Sequence, residues 1–111
     1  MSKISFEEFI QIEIRTGTIL EVNLNSKAFK PAYKLTIDFG SLGIKTSSAQ
    51  ITKNYSPENL IGLQIIAVVN FPIKSIAGVK SEVLVLGVYS QNKDVVLLSP
   101  VESVEDGSLV G

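Results

Sequence analysis

Tyr33-Lys34-Leu35-Thr36-Ile37-Asp38-Phe39 alternates apolar and polar side chains without a break. A period of two puts Tyr33, Leu35, Ile37 and Phe39 on one face of a β-strand and Lys34, Thr36 and Asp38 on the other. One face must meet a core, and the other meets solvent or a ligand. Gly40-Ser41-Leu42-Gly43 follows as a turn. Ile44 to Ser48 reads as the next strand.

Upstream, Ile12, Ile14, Thr16 and Thr18 alternate with charged or small residues and run into Ile19, Leu20 and Val22. This is a long first strand, with Gly17 as a bend. Asn23 to Pro31 is a polar connection. Ser5-Phe6-Glu7-Glu8 has the spacing of a capping box, which predicts a short helix with Phe6, Phe9 and Ile10 on one face. A helix this short is unstable alone, so it must dock on the rest of the chain or on a partner subunit. Downstream, Ser56-Pro57-Glu58-Asn59-Leu60-Ile61-Gly62 carries the marks of one helical turn: Ser as N-cap, Pro at the first position, Gly after the end. Leu63 to Phe71 reads as an apolar strand covered on both faces, and Pro72 to Lys80 as a loop. Val83 to Tyr89 and Val95 to Leu98 flank a polar turn and form a hairpin. Asp106-Gly107 marks a last turn before the apolar end at Leu109 and Val110.

Three strands, a short helix and then further strands is the order of a five-stranded OB-type barrel, so the expected fold is all-β with small helices. At 111 residues the chain is expected to be one domain. Residues 1–11 would form the N-terminal helix, 12–98 the barrel and 99–111 a C-terminal extension.

The composition removes most enzymatic chemistry. No histidine and no cysteine are present, so the commonest general base, the thiol nucleophile and the usual transition-metal ligands are missing. No phosphate-binding glycine loop of the Gly-x-x-x-x-Gly-Lys type occurs either. Glu7 and Glu8 are neighbours on a predicted helix and point apart. The expectation is a protein with no catalytic residue, no metal and no cofactor. Its first residues lack the form of a signal peptide, and its longest apolar run, Ile65 to Val69, is far below the ~20 residues that cross a bilayer. It is therefore expected to be cytoplasmic, without membrane insertion.

Charge is uneven along the chain. The net charge is −1, but residues 15–93 hold nine basic groups against four acidic ones, a net of +5. Such asymmetry fits an anionic partner, or simply a solvated surface. Two stretches within the basic body are dense in hydroxyls, amides and lysines: Lys45 to Lys53 and Asn70 to Glu82. These groups suit phosphate and sugar recognition. The second also carries Phe71, Ile73, Ile76 and Val79 in a predicted loop, where grouped apolar residues form a binding face, a subunit contact or anchors that plug a barrel end. Tyr55 either stacks on a base or packs under the helical turn. Arg15 either clamps a phosphate or pairs with a strand carboxylate.

Five co-linear pieces carry a family resemblance: Ile12 to Ile19, Lys45 to Thr52, Tyr55 to Leu60, Ala67 to Pro72 and Ile76 to Gly87. With these the chain resembles the tRNA-binding-domain family of OB modules, and within it looks closest to the CsaA-type secretion chaperones, whose Ser81-Glu82-Val83 pattern it shares. The resemblance implies an OB barrel, a homodimer, and two partners: tRNA, held by its shape, and unfolded or export-precursor polypeptides. Carried over by motif, the nucleic-acid surface falls on Ser47, Ser48, Lys53, Asn70, Ser81 and Glu82, with Lys45, Lys74 and Lys80 adding charge. Phe71, Pro72, Ile73, Ile76 and Val79 would meet polypeptide or the second subunit. A free-standing tRNA-binding module is the alternative.

Overall fold

The computed structural model describes residues 1–111. Its backbone is mostly β, with two short helices. The capping box forms as the spacing predicts: Ser5 Oγ accepts from the Glu8 N–H at 3.1 Å, and Glu8 Oε1 accepts from the Ser5 N–H at 2.9 Å. It starts helix α1, Phe6–Phe9. Strand β1 spans Ile14–Leu24, β2 Tyr33–Asp38 and β3 Ile44–Ala49. Helix α2, Pro57–Leu60, then leads to β4, Gln64–Val68. Proline occupies the first turn of α2 as expected. Ser56 does not cap it, because its hydroxyl donates to Asn59 Oδ1 at 2.7 Å instead.

The later strands are shorter: β5 Lys74–Ile76, β6 Val79–Ser81, β7 Leu84–Val85, β8 Gly87–Tyr89 and β9 Val95–Leu97. Strands β3, β2, β1, β4 and β7 hydrogen-bond in that order into one antiparallel sheet. The sheet curls into a nearly closed five-stranded barrel of OB type, with α2 between the third and fourth barrel strands. Closure runs between β3 and the segment around Glu82. The Glu82 N–H donates to the Thr46 carbonyl at 2.9 Å, and Ser47 Oγ donates to the Val83 carbonyl at 2.9 Å.

Strand β1 serves two partners. Residues 14–18 pair with β4 and residues 18–24 with β2, with a bulge between Ile19 and Glu21. A bulge increases local twist, which helps a single strand turn from one side of a barrel to the other. Gly17 sits at this change. A Cβ there would lie 2.7 Å from two ring carbons of Phe39 and 2.8 Å from Ile37 Cγ2. The glycine is needed for ring packing as well as for the bend read from sequence. Leu35, Ile37 and Phe39 join Ile19, Leu60, Ile65 and Ala67 in the core, as their alternation predicts.

Three expectations are corrected. Pro72 to Lys80 is not simply a loop: Lys74–Ile76 and Val79–Ser81 pair as a hairpin around Ala77 and Gly78. Both turn residues have positive φ, 48° and 83°, as a two-residue turn of this hand requires. Alanine gives no sequence signal for that conformation. Val79, expected among the exposed apolar group, is only 9% exposed, because the hairpin turns it inward. Finally, Val83 to Tyr89 is not one strand. Leu84–Val85 pairs with β4, and Gly87–Tyr89 leaves the barrel to pair with β9.

The C-terminal residues return to β1. Arg15 bridges to Leu109, and the Gly107 and Val110 N–H groups donate to the Thr16 and Ile14 carbonyls at 2.7 and 2.9 Å. The tail thus occupies the edge of β1 that β2 leaves free below Thr18. Arg15 forms an ion pair with Glu13 at 2.7 Å and donates to the Gly107 carbonyl at 3.0 Å, so its guanidinium serves the fold. No helix is long and apolar enough to cross a membrane.

Candidate binding face

Strand alternation sorts the residues of β3. Ser47 turns inward, and Thr46 and Ser48 turn outward. Ser47 is 1% exposed, and its hydroxyl is committed to the Val83 carbonyl. Glu82 is also committed to the seam, since its carboxylate accepts from the Thr46 N–H and hydroxyl, both at 3.1 Å. The Ser48 N–H donates to Ser81 Oγ at 3.1 Å. The fold thus brings the two hydroxyl-rich stretches read from sequence into contact, and much of their polarity closes the barrel.

Outside the seam lies a cavity of about 420 Å³ lined by Phe71, Pro72, Lys74, Ile76, Ser81 and Leu84, with Ser48, Glu82 and Val83 completing it. Its lining mixes half-exposed apolar side chains (Phe71, Ile76 and Leu84) with polar ones (Ser48, Lys74, Ser81 and Glu82), as recognition pockets commonly do. Three further concavities continue from it, two sharing its lining and one beyond them. One passes between Gln50 and Ile51 and the Leu84 to Tyr89 segment. A second lies among Lys30, Lys53, Lys93 and Asp94. A third, between Phe29 and Ile76, also includes Ser48 and Gln50. Together they make one concave strip across the outer face at β3. It is flanked by the β1–β2 connection and by the β5–β6 hairpin, the loops that OB folds use for oligonucleotides.

The charge of the strip is positive. Lys30, Lys53, Lys74 and Lys93 line it. Of the two carboxylates there, Glu82 faces the seam, and Asp94 meets Lys53 only at 3.8 Å with the lysine side chain 83% exposed. A contact so loose and solvated leaves Lys53 available.

The residues singled out from sequence fall into two groups. Ser48, Phe71, Pro72, Lys74, Ile76, Ser81 and Glu82 come together around the first cavity, and Lys53 lies farther along the strip. The others do not join them. Ser47 and Val79 are buried. Ile73 is exposed outside the cavity. Lys45 projects from β3 with the opposite parity to Ser48, and Lys80 from β6 opposite to Ser81. Asn70 is engaged at both ends of its amide: Oδ1 accepts from the Glu13 N–H at 2.9 Å, and Nδ2 donates to the Gln11 carbonyl at 2.7 Å. Tyr55 packs against the core, with its hydroxyl accepting from the Leu97 N–H at 3.0 Å.

Sequence reasoning missed Phe29, Lys30, Gln50, Tyr89 and Lys93. Gln50 lay inside a stretch already marked as rich in amides and hydroxyls. The others belong to the β1–β2 connection, the end of β8 and the β8–β9 turn, far away in sequence, and only the tertiary fold places them beside Ser48.

The family model described as "Putative tRNA binding domain" matches residues 14–109. The structure of chaperone CsaA from Bacillus anthracis strain Ames is 51% identical, with a TM-score of 0.93, over 99% of this chain and 100% of that one. The CsaA chaperone of Picrophilus torridus is 50% identical, with a TM-score of 0.92, over 98% and 100%. A methionine–tRNA ligase of Porphyromonas gingivalis is 36% identical over 107 residues, which are 96% of this chain but 15% of the ligase.

Proposed function

This chain belongs to the tRNA-binding domain family, and we propose that it is a non-catalytic, cytoplasmic, CsaA-like homodimer that binds unfolded or export-precursor polypeptides and also tRNA. The observation that carries the polypeptide reading is the apolar cavity of Phe71, Pro72, Ile76 and Leu84, with Phe71 53% exposed at its edge. Unfolded segments bring apolar side chains that such a cavity shields from water. The tRNA reading is supported by four lysines on one strip whose carboxylates are turned away or loosely held. Lysines on one face suit reading of RNA shape and phosphate.

Fluorescence anisotropy with labelled tRNA and with a labelled unfolded peptide, each at low and at moderate salt, tests both partners. Binding of tRNA through about four lysines gives a log–log salt slope near −3 to −4, whereas peptide held in an apolar cavity is nearly indifferent to salt. Absence of tRNA binding at low salt removes that half of the proposal. Absence of peptide binding at either salt removes the other.

The homodimer is supported by the N-terminal segment. Ile4, Phe6, Ile10 and Ile12 are all exposed, and α1 buries no residue of its own. Asn70 nevertheless holds residues 11–13 in place, so this apolar surface is fixed and presented. A second copy would cover it by two-fold symmetry. Sedimentation should show a particle of two 12.0 kDa chains at micromolar concentration, and Phe6→Glu should shift it to one. A wild-type monomer at that concentration refutes the dimer.

A further inference from the structure

We propose that the open end of the barrel seam, between β3 and β8, accepts an extended polypeptide segment as an added strand. This rests on the polypeptide-binding reading above and specifies how the polypeptide is held.

The pairing phase of β3 sets up the site. The Phe39 N–H donates to the Gly43 carbonyl at 3.0 Å, which fixes the odd residues of β3 as those bonded to β2. Thr46, Ser48 and Gln50 therefore turn their backbone groups toward the seam. Thr46 is satisfied there by Glu82, and the Ser48 N–H by Ser81 Oγ. One step on, the Gln50 N–H and carbonyl meet no protein group. Across the gap, β8 pairs only with β9. The bonds of Leu86 with Leu98 and of Ser90 with Asp94 show that even residues serve that hairpin. Gly87 and Tyr89 therefore turn their backbone groups outward, toward the gap.

Between these edges lies a groove of about 420 Å³, lined by Ile51, Leu84, Leu86 and Tyr89 together with Lys93. An edge that offers both N–H and C=O is matched by another polypeptide backbone. A phosphodiester linkage brings acceptors and no donor, so it leaves the Gln50 carbonyl unmet. The apolar part of the lining takes alternate side chains of a strand. Lys93, with Lys30 and Lys53 beside it, favours a segment with acidic or uncharged flanks. The occupant is thus an extended, alternating, non-basic polypeptide.

A fluorescein-labelled peptide of about ten residues, alternating Val and Thr between Asp ends, is a suitable probe for such edge addition. Two versions carry backbone N-methyl groups on alternate residues, one in each register. At least one should bind about tenfold or more weakly than the parent, because methylation removes the donors facing the edge. Gln50→Pro, which deletes the edge N–H, should cause a similar loss. If Gln50→Pro does not fold, the methylated pair decides. Equal binding of all three peptides overturns strand addition and leaves side-chain capture in the cavity standing. Failure of the parent peptide, while a reduced and unfolded protein still binds, also overturns strand addition alone. Failure of both probes overturns the polypeptide reading and this inference together.

Discussion

Phe39→Ala is expected to lower the unfolding free energy by about 3–5 kcal/mol, the range for truncating a buried aromatic residue. Phe39 is fully buried, and its ring lies directly over Gly17 where β1 changes partners. Removing the ring opens a void at the point where the barrel bends, and the surrounding strands, held by ladders on both sides of β1, have little freedom to collapse into it. Gly17→Ala alone is expected to cost about 1–3 kcal/mol, since its methyl meets the ring and Ile37 below contact distance. The double variant should cost less than the two single losses combined, because the new methyl enters space the ring has left. Denaturant unfolding of the four proteins measures the coupling. Additivity to within about 0.5 kcal/mol would show that the Gly17–Phe39 contact does not carry the bend.

The largest functional effect is expected from the four lysines on the strip. Replacing Lys30, Lys53, Lys74 and Lys93 with alanine should flatten the salt dependence of tRNA binding by a log–log slope of roughly 3 to 4 and weaken binding at low salt roughly a hundredfold. Lys45→Ala with Lys80→Ala should change affinity by only about threefold, because both project from the faces opposite Ser48 and Ser81 and act only through the screened field. Anisotropy titrations over a salt series separate the two sets. A larger loss from Lys45 and Lys80 than from the four strip lysines would move the RNA to the other side of the hairpin.

Both predictions depend on what strand alternation does with local polarity. The hydroxyl-rich pieces Lys45 to Lys53 and Asn70 to Glu82 were legible as special in the sequence, and they do converge. Their separate roles were not legible. Ser47 and Ser48 are neighbours of one residue type, yet one is buried against Val83 and the other lines the cavity. Glu82 looked like a ligand group, and its carboxylate instead closes the seam onto Thr46. Asn70 looked like a phosphate contact, and its amide ties down the N-terminal segment. In each case the partner lies more than thirty residues away, at a distance that no local pattern encodes.

The sequence by itself determined the elements whose causes are local. The alternation of Tyr33 to Phe39 made a strand with a core face, and the Ser5–Glu8 capping box started a helix. The order of strands and helix called for an OB-type barrel, and the lack of histidine and cysteine removed the commonest catalytic groups. Tertiary structure decided the rest. It turned an apolar loop into a hairpin with Val79 inside, and it used serine, glutamate and asparagine side chains as seam and tether. By bringing β3 beside the β5–β6 hairpin and β8, it gathered Phe29, Gln50, Tyr89 and Lys93 onto the face with Ser48. The physical reason is that side-chain period and capping act over a few residues, whereas barrel closure assigns partners across the whole chain.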